Sequence, residues 1–164
     1  TGIALDQWAQ HFDTVSVCFS KGLGAPVGSA LAGSKEMIAE AKRHRKLFGG
    51  GMRQAGVIAA GALYGLTHNR ERLTIDHAHA QLLAEAVRGT TNLTLEPDSV
   101  DTNILIFRVA STWGTAADFV AKMAAKGVLA LVVSPQHIRL VTHLDVNESQ
   151  VQVAGRIVAE IAEG

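Results

Sequence analysis

Lys21 stands where a predicted strand ends and a loop of small residues begins. From Thr14 to Ser20, apolar and polar side chains alternate with the period of two that is typical of a β-strand. A lysine at such a position can lose hydration against apolar neighbours, which lowers the pKa of its amine and makes it usable for Schiff-base chemistry. An ordinary surface lysine at a turn would show the same spacing.

Arg139 lies in a second stretch with possible chemistry, the predicted strand from His137 to His143. Ile138, Leu140 and Thr142 share one face of this strand, and Arg139 lies on the other. An arginine within an apolar strand is costly unless it meets an anion, and its planar fork suits a carboxylate. The anion could belong to a ligand or to an Asp or Glu of the chain.

The glycine loop after Lys21 does not fit the common nucleotide-binding motifs. Gly22, Gly24 and Gly28 are spaced G-x-G-x-x-x-G, and Pro26 stands where a helix would have to begin. The segment that follows is predicted to be a strand, so a dinucleotide fingerprint fails in its context. No G-x-x-x-x-G-K-[ST] run is present, which excludes a P-loop.

Cysteine and histidine give little sign of a catalytic or metal site. Cys18, the single cysteine, lies inside the predicted strand and is interpreted as a small core residue. His77 and His79 alternate on a predicted helix, where this spacing turns their rings to different sides. We therefore expect no metal site.

The segment 42–54 combines a basic run with three glycines. Lys42 to Lys46 is predicted to close a helix, where cations and a following glycine are ordinary capping chemistry. Such a run could also bind nucleic acid or direct nuclear import. The glycines at 49–51 allow a close backbone approach or positive φ angles, or they form a plain turn.

The composition narrows the class of protein. Of 164 residues, 48% are apolar and 18% are charged, and the formal net charge is zero, as in globular proteins. Zero net charge gives no reason to expect a nucleic acid partner. No apolar run reaches the ~18 residues of a membrane span. One cysteine excludes an intramolecular disulfide and favours a reducing compartment such as the cytoplasm.

The pattern of elements predicts an α/β protein with a boundary near residue 70. Predicted helices cover 3–10, about 14 residues after the N-cap Ser34, 55–66, 70–88, and segments around 119–124 and 151–161. Predicted strands cover 14–20, 27–33, 93–95, 103–109, 129–133 and 137–143. The helix 55–66 is apolar almost all round, so we expect it to be buried on most sides, either in the core or against another subunit. Helix 70–88 carries its charged residues, including Arg72 and Asp76, mainly on other faces than its apolar one.

Several motifs together resemble one family. The runs SVCFSKGLGAPVGSALAGS and RKLFGGGMRQAG, TNI at 102–104 and RLVTHLDV at 139–146 are similar to the threonine aldolases. These enzymes belong to the β-eliminating lyase group of the pyridoxal-phosphate-dependent, aspartate-aminotransferase-like fold type I enzymes. The resemblance implies that residues 1–69 are the C-terminal portion of the large cofactor-binding domain, with the end of its sheet. Residues 70–164 would be a linking helix and a small C-terminal α/β domain.

The resemblance also implies a reaction and roles for particular residues. Lys21 would carry pyridoxal 5′-phosphate as a Schiff base, Arg53 would lie near its phosphate or at the neighbouring subunit's site, Lys46 near the active-site mouth, and Arg139 would hold the substrate α-carboxylate. Ser20, next to the lysine, would hydrogen-bond the phosphate or only finish the strand. The enzyme would cleave L-threonine or L-allo-threonine to glycine and an aldehyde, as a cytoplasmic homotetramer built from dimers. Threonine aldolases are about twice this length, so the catalytic base and the cofactor-stacking group are expected in a preceding part.

Two alternatives stay open. Another pyridoxal-phosphate reaction, such as β-elimination or decarboxylation, would use the same lysine. From a different class, a non-catalytic oligomerisation module could be built around the apolar helix 55–66.

Overall fold

The computed structural model describes residues 2–164 and divides them into two compact units, unit 1 up to Arg70 and unit 2 from Glu71. The elements in chain order are α1 (Leu5–Ala9), β1 (Thr14–Cys18), β2 (Ser29–Gly33), α2 (Lys35–Leu47), α3 (Gly56–His68), α4 (Leu73–Arg88), β3 (Leu93–Leu95), β4 (Ile104–Val109), α5 (Ala116–Ala125), β5 (Leu131–Ser134), β6 (His137–Val141) and α6 (Glu148–Glu163). None of the helices within residues 2–164 has both the length and the apolarity to cross a bilayer.

Unit 1 is built on an antiparallel pair of strands, β1 and β2, in register from Thr14 opposite Gly33 to Cys18 opposite Ser29. The hydroxyl of Ser34 accepts a hydrogen bond from the Met37 amide at 3.2 Å, which confirms the predicted N-cap of α2. Each strand is two residues shorter than predicted, because the chain turns into the loop 19–28 between them.

Helix α3 is not part of a core within the described chain. Its apolar circumference predicted burial on most sides, yet among its residues only Gly65 is buried. Val57, Leu63 and Tyr64 are 83%, 65% and 62% exposed. Within residues 2–164 the helix meets the loop 19–28 at Gly61 and Gly65, and burial of its other sides against a second subunit stays a prediction.

Unit 2 contains a four-stranded antiparallel sheet in the order β3-β4-β6-β5. Burial alternates along β4 and β6: Leu105, Phe107, Ile138 and Leu140 are buried, and the residues between them are more exposed. One face of the sheet therefore packs against helices and the other is open. Strand β5 is at an edge, and its pairing with β6 shifts register between Val132 and Ser134.

The covered face packs against α4, α5 and α6. Phe107 meets Phe119 of α5 edge to face, with ring centroids 6.0 Å apart. Helices α4 and α6 approach closely at Gly155, where a Cβ would lie 3.1 Å from that of Ala86. The expected outward position of Asp76 was wrong, because its side chain is fully buried and pairs with Arg72 one turn earlier.

Candidate functional site

Lys21 lies in the loop between β1 and β2, three residues after β1 ends. Backbone hydrogen bonds close this loop: Phe19 donates to the Gly28 carbonyl at 3.0 Å, and Ala25 donates back to the Phe19 carbonyl at 2.9 Å. Gly24 donates to the carbonyl of Lys21 itself at 2.8 Å, so the backbone of Lys21 is held within the turn. The lysine is therefore presented from a defined turn and not from a free strand end.

The side chain of Lys21 is exposed. Within residues 2–164 this exposure agrees with the alternative of a surface lysine at a turn, and apolar neighbours do not exclude water from the side chain. Among residues 2–164, no hydrogen-bond or ion-pair partner holds the Lys21 amine. Its Nζ is consequently accessible for a bond to a carbonyl compound.

Helix α3 holds the lysine loop through its glycines. A Cβ at Gly65 would lie 2.5 Å from the Leu23 carbonyl oxygen, and one at Gly61 would lie 2.9 Å from Cδ of Pro26. The same Leu23 carbonyl accepts a 2.8 Å hydrogen bond from Nδ2 of Asn69, just after the helix. The glycines thus let the helix backbone reach the loop two residues from Lys21.

Ser20 and Cys18 interact just before the lysine. The Cys18 sulfur lies 3.4 Å from the Ser20 hydroxyl oxygen. Hydrogen bonding to the Ser20 side chain and backbone lowers the pKa of the Cys18 thiol, with a smaller contribution from the charge of Lys21. Cys18 is half-buried, so its interpretation as a core residue was wrong. The Ser20 residue itself is exposed and lies next to the lysine.

Lys46 lies in the last turn of α2, above the glycine run. Gly49 ends the helix with a φ of +82°. Gly50 donates to the Arg45 carbonyl at 2.7 Å, and a Cβ there would come within 2.8 Å of that oxygen. A Cβ at Gly51 would lie 3.2 Å from Nζ of Lys46. The run therefore combines a positive φ angle with close approaches, and the plain-turn alternative is insufficient.

Arg53 follows the glycines and is exposed. Its neighbour Gln54 has a φ of +51°, a left-handed conformation that no other non-glycine residue among residues 2–164 adopts. Such strain is found where surrounding structure or a ligand fixes the backbone. In the described chain neither Lys46 nor Arg53 forms an ion pair, so both cations are free to meet an anion.

Arg139 lies on the open face of the unit 2 sheet, in strand β6. It is directly opposite Ile106 of β4 and Leu131 of β5, so apolar side chains flank it on both sides. Its Nε is buried and has no hydrogen-bond partner within residues 2–164. The alternative of a structural ion pair is not realised in the described chain. An arginine with a buried unpaired donor among apolar neighbours can bind a carboxylate by donating hydrogen bonds to it.

A polar network on the same open face was not predicted from the sequence. The Ser134 hydroxyl is 2.6 Å from Nδ1 of His137, and Nε2 of that ring is 2.8 Å from one Glu96 oxygen. Nε of Arg108 donates to the other Glu96 oxygen at 2.8 Å. The bond with His137, followed by that with Arg108, lowers the pKa of Glu96. The alternation of His137 with Arg139 along β6 was the sequence signal that these residues share a face.

The structure thus places the candidate residues in two groups. Lys21, Ser20, Lys46 and Arg53 belong to unit 1, and Arg139 belongs to unit 2. Within residues 2–164 no group of three or more His, Cys, Asp or Glu side chains is arranged to hold a metal ion.

Comparison with known proteins gives both family and sequence matches. The family model described as beta-eliminating lyase matches residues 1–111. A low specificity L-threonine aldolase of Escherichia coli K12 is 43% identical over 91% of this chain and 43% of that protein. The low-specificity L-threonine aldolase 1 of Arabidopsis thaliana is 37% identical over 92% of this chain and 42% of its own length. The chain therefore spans less than half the length of these relatives.

Solved structures resemble the chain over nearly all of its length. A Listeria monocytogenes protein assigned as an L-allo-threonine aldolase matches 92% of this chain and 45% of its own, with a TM-score of 0.73 and 20% identity. Plasmodium falciparum ornithine delta-aminotransferase covers 92% of this chain and 40% of its own, with a TM-score of 0.64 and 15% identity. These likenesses show the fold, and they confirm the predicted α/β fold type I architecture.

Proposed function

Because the chain belongs to the beta-eliminating lyase family, we propose that the full-length protein is a pyridoxal-phosphate-dependent carbon–carbon lyase of the threonine aldolase type. It would cleave the Cα–Cβ bond of L-threonine, L-allo-threonine and related β-hydroxy-α-amino acids to glycine and an aldehyde. The observation that carries this proposal is the 43% identity over 91% of the chain with a low specificity L-threonine aldolase.

We also propose domain identities for the two units. Residues 1–69 are the C-terminal portion of the large cofactor-binding domain, and residues 70–164 are the linking helix and the small C-terminal domain. The division of the structure after Arg70 supports this assignment. The fold shared with the aminotransferase supports it as well.

The residues of unit 1 fit a phosphorylated aldehyde cofactor. Lys21 offers an exposed amine with no partner in the described chain, which is what a covalent bond to the aldehyde requires. Arg53 and the Ser20 hydroxyl would bind the phosphate, and Lys46 would lie at the mouth of the site. Exposed, unpaired cations and a hydroxyl form a donor set that suits a dianionic phosphate.

Arg139 would bind the α-carboxylate of the substrate through its guanidinium fork. A carboxylate there would give the buried Nε the partner that it lacks in the chain. A fixed carboxylate would restrict the rotation of the amino acid in the site. Arg139 would thereby orient the Cα–Cβ bond that breaks. When bound, pyridoxal phosphate supplies the electron sink for the electron pair of that bond. The β-hydroxyl would give its proton to a base as the aldehyde leaves, and Cα would take up a proton to give glycine.

The test is labelling and turnover with the full-length protein. We expect visible absorbance that sodium borohydride bleaches, and mapping of the reduced protein should place a phosphopyridoxyl group on Lys21. Lys21→Ala should abolish the absorbance and the release of acetaldehyde from L-threonine. Lys35→Ala, which changes an exposed lysine at the start of α2, should keep both. An active Lys21→Ala variant would refute the assignment.

A second reaction on the same scaffold is β-elimination, which the description of the family model favours. Product analysis separates the two, because an aldolase releases glycine and an aldehyde from threonine or phenylserine. A β-eliminating enzyme instead releases ammonia and an α-keto acid from serine.

We further propose that the protein is a cytoplasmic homo-oligomer, a dimer of dimers. The exposed apolar surface of α3, with Val57, Leu63 and Tyr64, supports a subunit contact there. The single cysteine supports a reducing compartment. The same surface favours the non-catalytic oligomerisation module, which predicts a stable oligomer that stays colourless with added pyridoxal phosphate.

A further inference from the structure

The strand that carries Arg139 is fastened to its neighbours just beyond its end, at Thr142. The Thr142 amide donates to the Asn103 carbonyl at 3.0 Å, and Nδ2 of Asn103 donates back to the Thr142 carbonyl at 2.8 Å. These bonds extend the pairing of β4 with β6 by one position past Ile104 and Val141. The Asn103 side chain therefore supplies a hydrogen bond that a backbone amide would supply in a regular strand pair.

Thr142 also reaches helix α4. Its hydroxyl donates to the carbonyl oxygen of Asp76 at 2.6 Å. Thr142 is 1% exposed and Asp76 is fully buried, so water cannot replace this bond. The carboxylate of Asp76 is in turn held by both terminal nitrogens of Arg72, at 2.9 and 3.2 Å. Thr142 thus joins the end of β6 to a helix turn that is itself fixed by an ion pair.

The side chain of Arg139 has no comparable support. Its Nε lacks a partner in the described chain, and the side chains opposite it, Ile106 and Leu131, are apolar. The place of the guanidinium is therefore set by its backbone and by packing against these side chains, and not by a hydrogen bond to Nε. The Arg139 backbone is three residues from Thr142, in the strand β6 that pairs with β4 on one side and β5 on the other.

We propose that Thr142 and Asn103 are positioning residues that set the place of the Arg139 guanidinium for binding a substrate carboxylate. This inference rests on the proposed function, in which Arg139 receives that carboxylate. Thr142 does not touch the substrate, because its side chain lies on the buried face of the strand and Arg139 on the open face. Its effect reaches substrate through the backbone of β6.

The experiment compares steady-state kinetics of full-length holoenzyme variants with L-threonine. Thr142→Val keeps the shape and removes the hydroxyl, and we expect KM to rise by about fivefold to tenfold, the equivalent of one hydrogen bond, while kcat changes less than about twofold. Thr142→Ser keeps the hydroxyl and should have the KM of the unsubstituted enzyme. Thr94→Val makes the same chemical change at an exposed position of β3 and should leave KM unchanged.

A merely structural role of Thr142 predicts a different result. It would lower the melting temperature and the fraction of active enzyme, hence apparent kcat, without moving KM. If Thr142→Val does not fold, Asn103→Ala removes the reciprocal bond and carries the same expected rise in KM. An unchanged KM in the folded variant overturns the inference.

Arg139→Gln in the same assay separates this inference from the proposed function. If Arg139→Gln raises KM and Thr142→Val does not, the positioning role is wrong and the carboxylate site stands. If Arg139→Gln leaves KM unchanged, the carboxylate site and the positioning role both fail.

Discussion

Gly65→Ala is expected to destabilise unit 1, although alanine is the better helix former. In an open helix the substitution would stabilise by about 1 kcal/mol. At Gly65 the new Cβ would lie 2.5 Å from the Leu23 carbonyl oxygen, whereas ordinary contacts begin at 3.4 Å. The helix and the loop must therefore separate by about 0.9 Å, the difference between these two distances.

That separation conflicts with the hydrogen bond from Asn69 to the same carbonyl, which is only 2.8 Å long. Overpacking of this kind costs about 1–3 kcal/mol, so we expect a net loss of up to about 2 kcal/mol after the gain in helix propensity. Because Leu23 is two residues from Lys21, the loss should appear in the lysine loop as well as in α3.

The assay is hydrogen exchange with mass spectrometry, which reports local opening free energies peptide by peptide. In Gly65→Ala we expect faster exchange in peptides that cover α3 and the loop 19–28, and unchanged exchange in unit 2. Gly56→Ala is the matched control, because no atom lies within 4 Å of a Cβ there and exchange in α3 should slow slightly. Equal protection of α3 in both variants would refute the reasoning.

Two further predictions concern charged groups of unit 2. Asp76→Asn should lower the free energy of unfolding in urea by about 2–3 kcal/mol, because it breaks an ion pair whose carboxylate is fully buried while Arg72 is 23% exposed. The control Asp98→Asn changes a side chain that is 95% exposed and should cost less than about 0.5 kcal/mol. Equal losses in the two variants would contradict this reasoning. The pKa of Glu96 is lowered, chiefly by its bond with His137, so its contribution to stability is complete above the ordinary value of 4.5 and is lost as pH falls through the lowered pKa of the folded state. In Glu96→Gln the melting temperature should therefore depend less on pH in that range. A pH dependence equal to that of the unsubstituted protein would contradict this prediction.

The local elements were largely predictable from the sequence, because each depends on neighbouring residues. The strand 93–95 has the predicted bounds, and the Ser34 cap and the alternation along β6 are as expected. Helix α4 begins at Leu73 and not at residue 70, because Arg72 is the N-cap and the preceding turn is not helical.

What depends on distant residues was not predictable in the same way. The burial of Asp76 follows from a partner one turn away and from the strand end that covers it, at Thr142. The exposure of α3 depends on which surfaces the rest of a longer protein or a second copy would supply. For the candidate site, the sequence motifs named Lys21 and Arg139, but the open surroundings of Lys21 and the unpaired Nε of Arg139 required the three-dimensional structure.

The register shift in β5 has a consequence for solubility. The segment 129–133, LALVV, is uncharged and rich in β-forming residues, and it runs into a strand at the edge of the sheet. Such an edge can template further strands from other molecules and start fibrillar aggregation. The irregular pairing with β6 between Val132 and Ser134 bends this edge strand, and Pro135, which has no amide donor, follows directly after it. A bent and twisted edge is a poorer template for a strand of another molecule, so the bulge is expected to lower the tendency of this segment to aggregate.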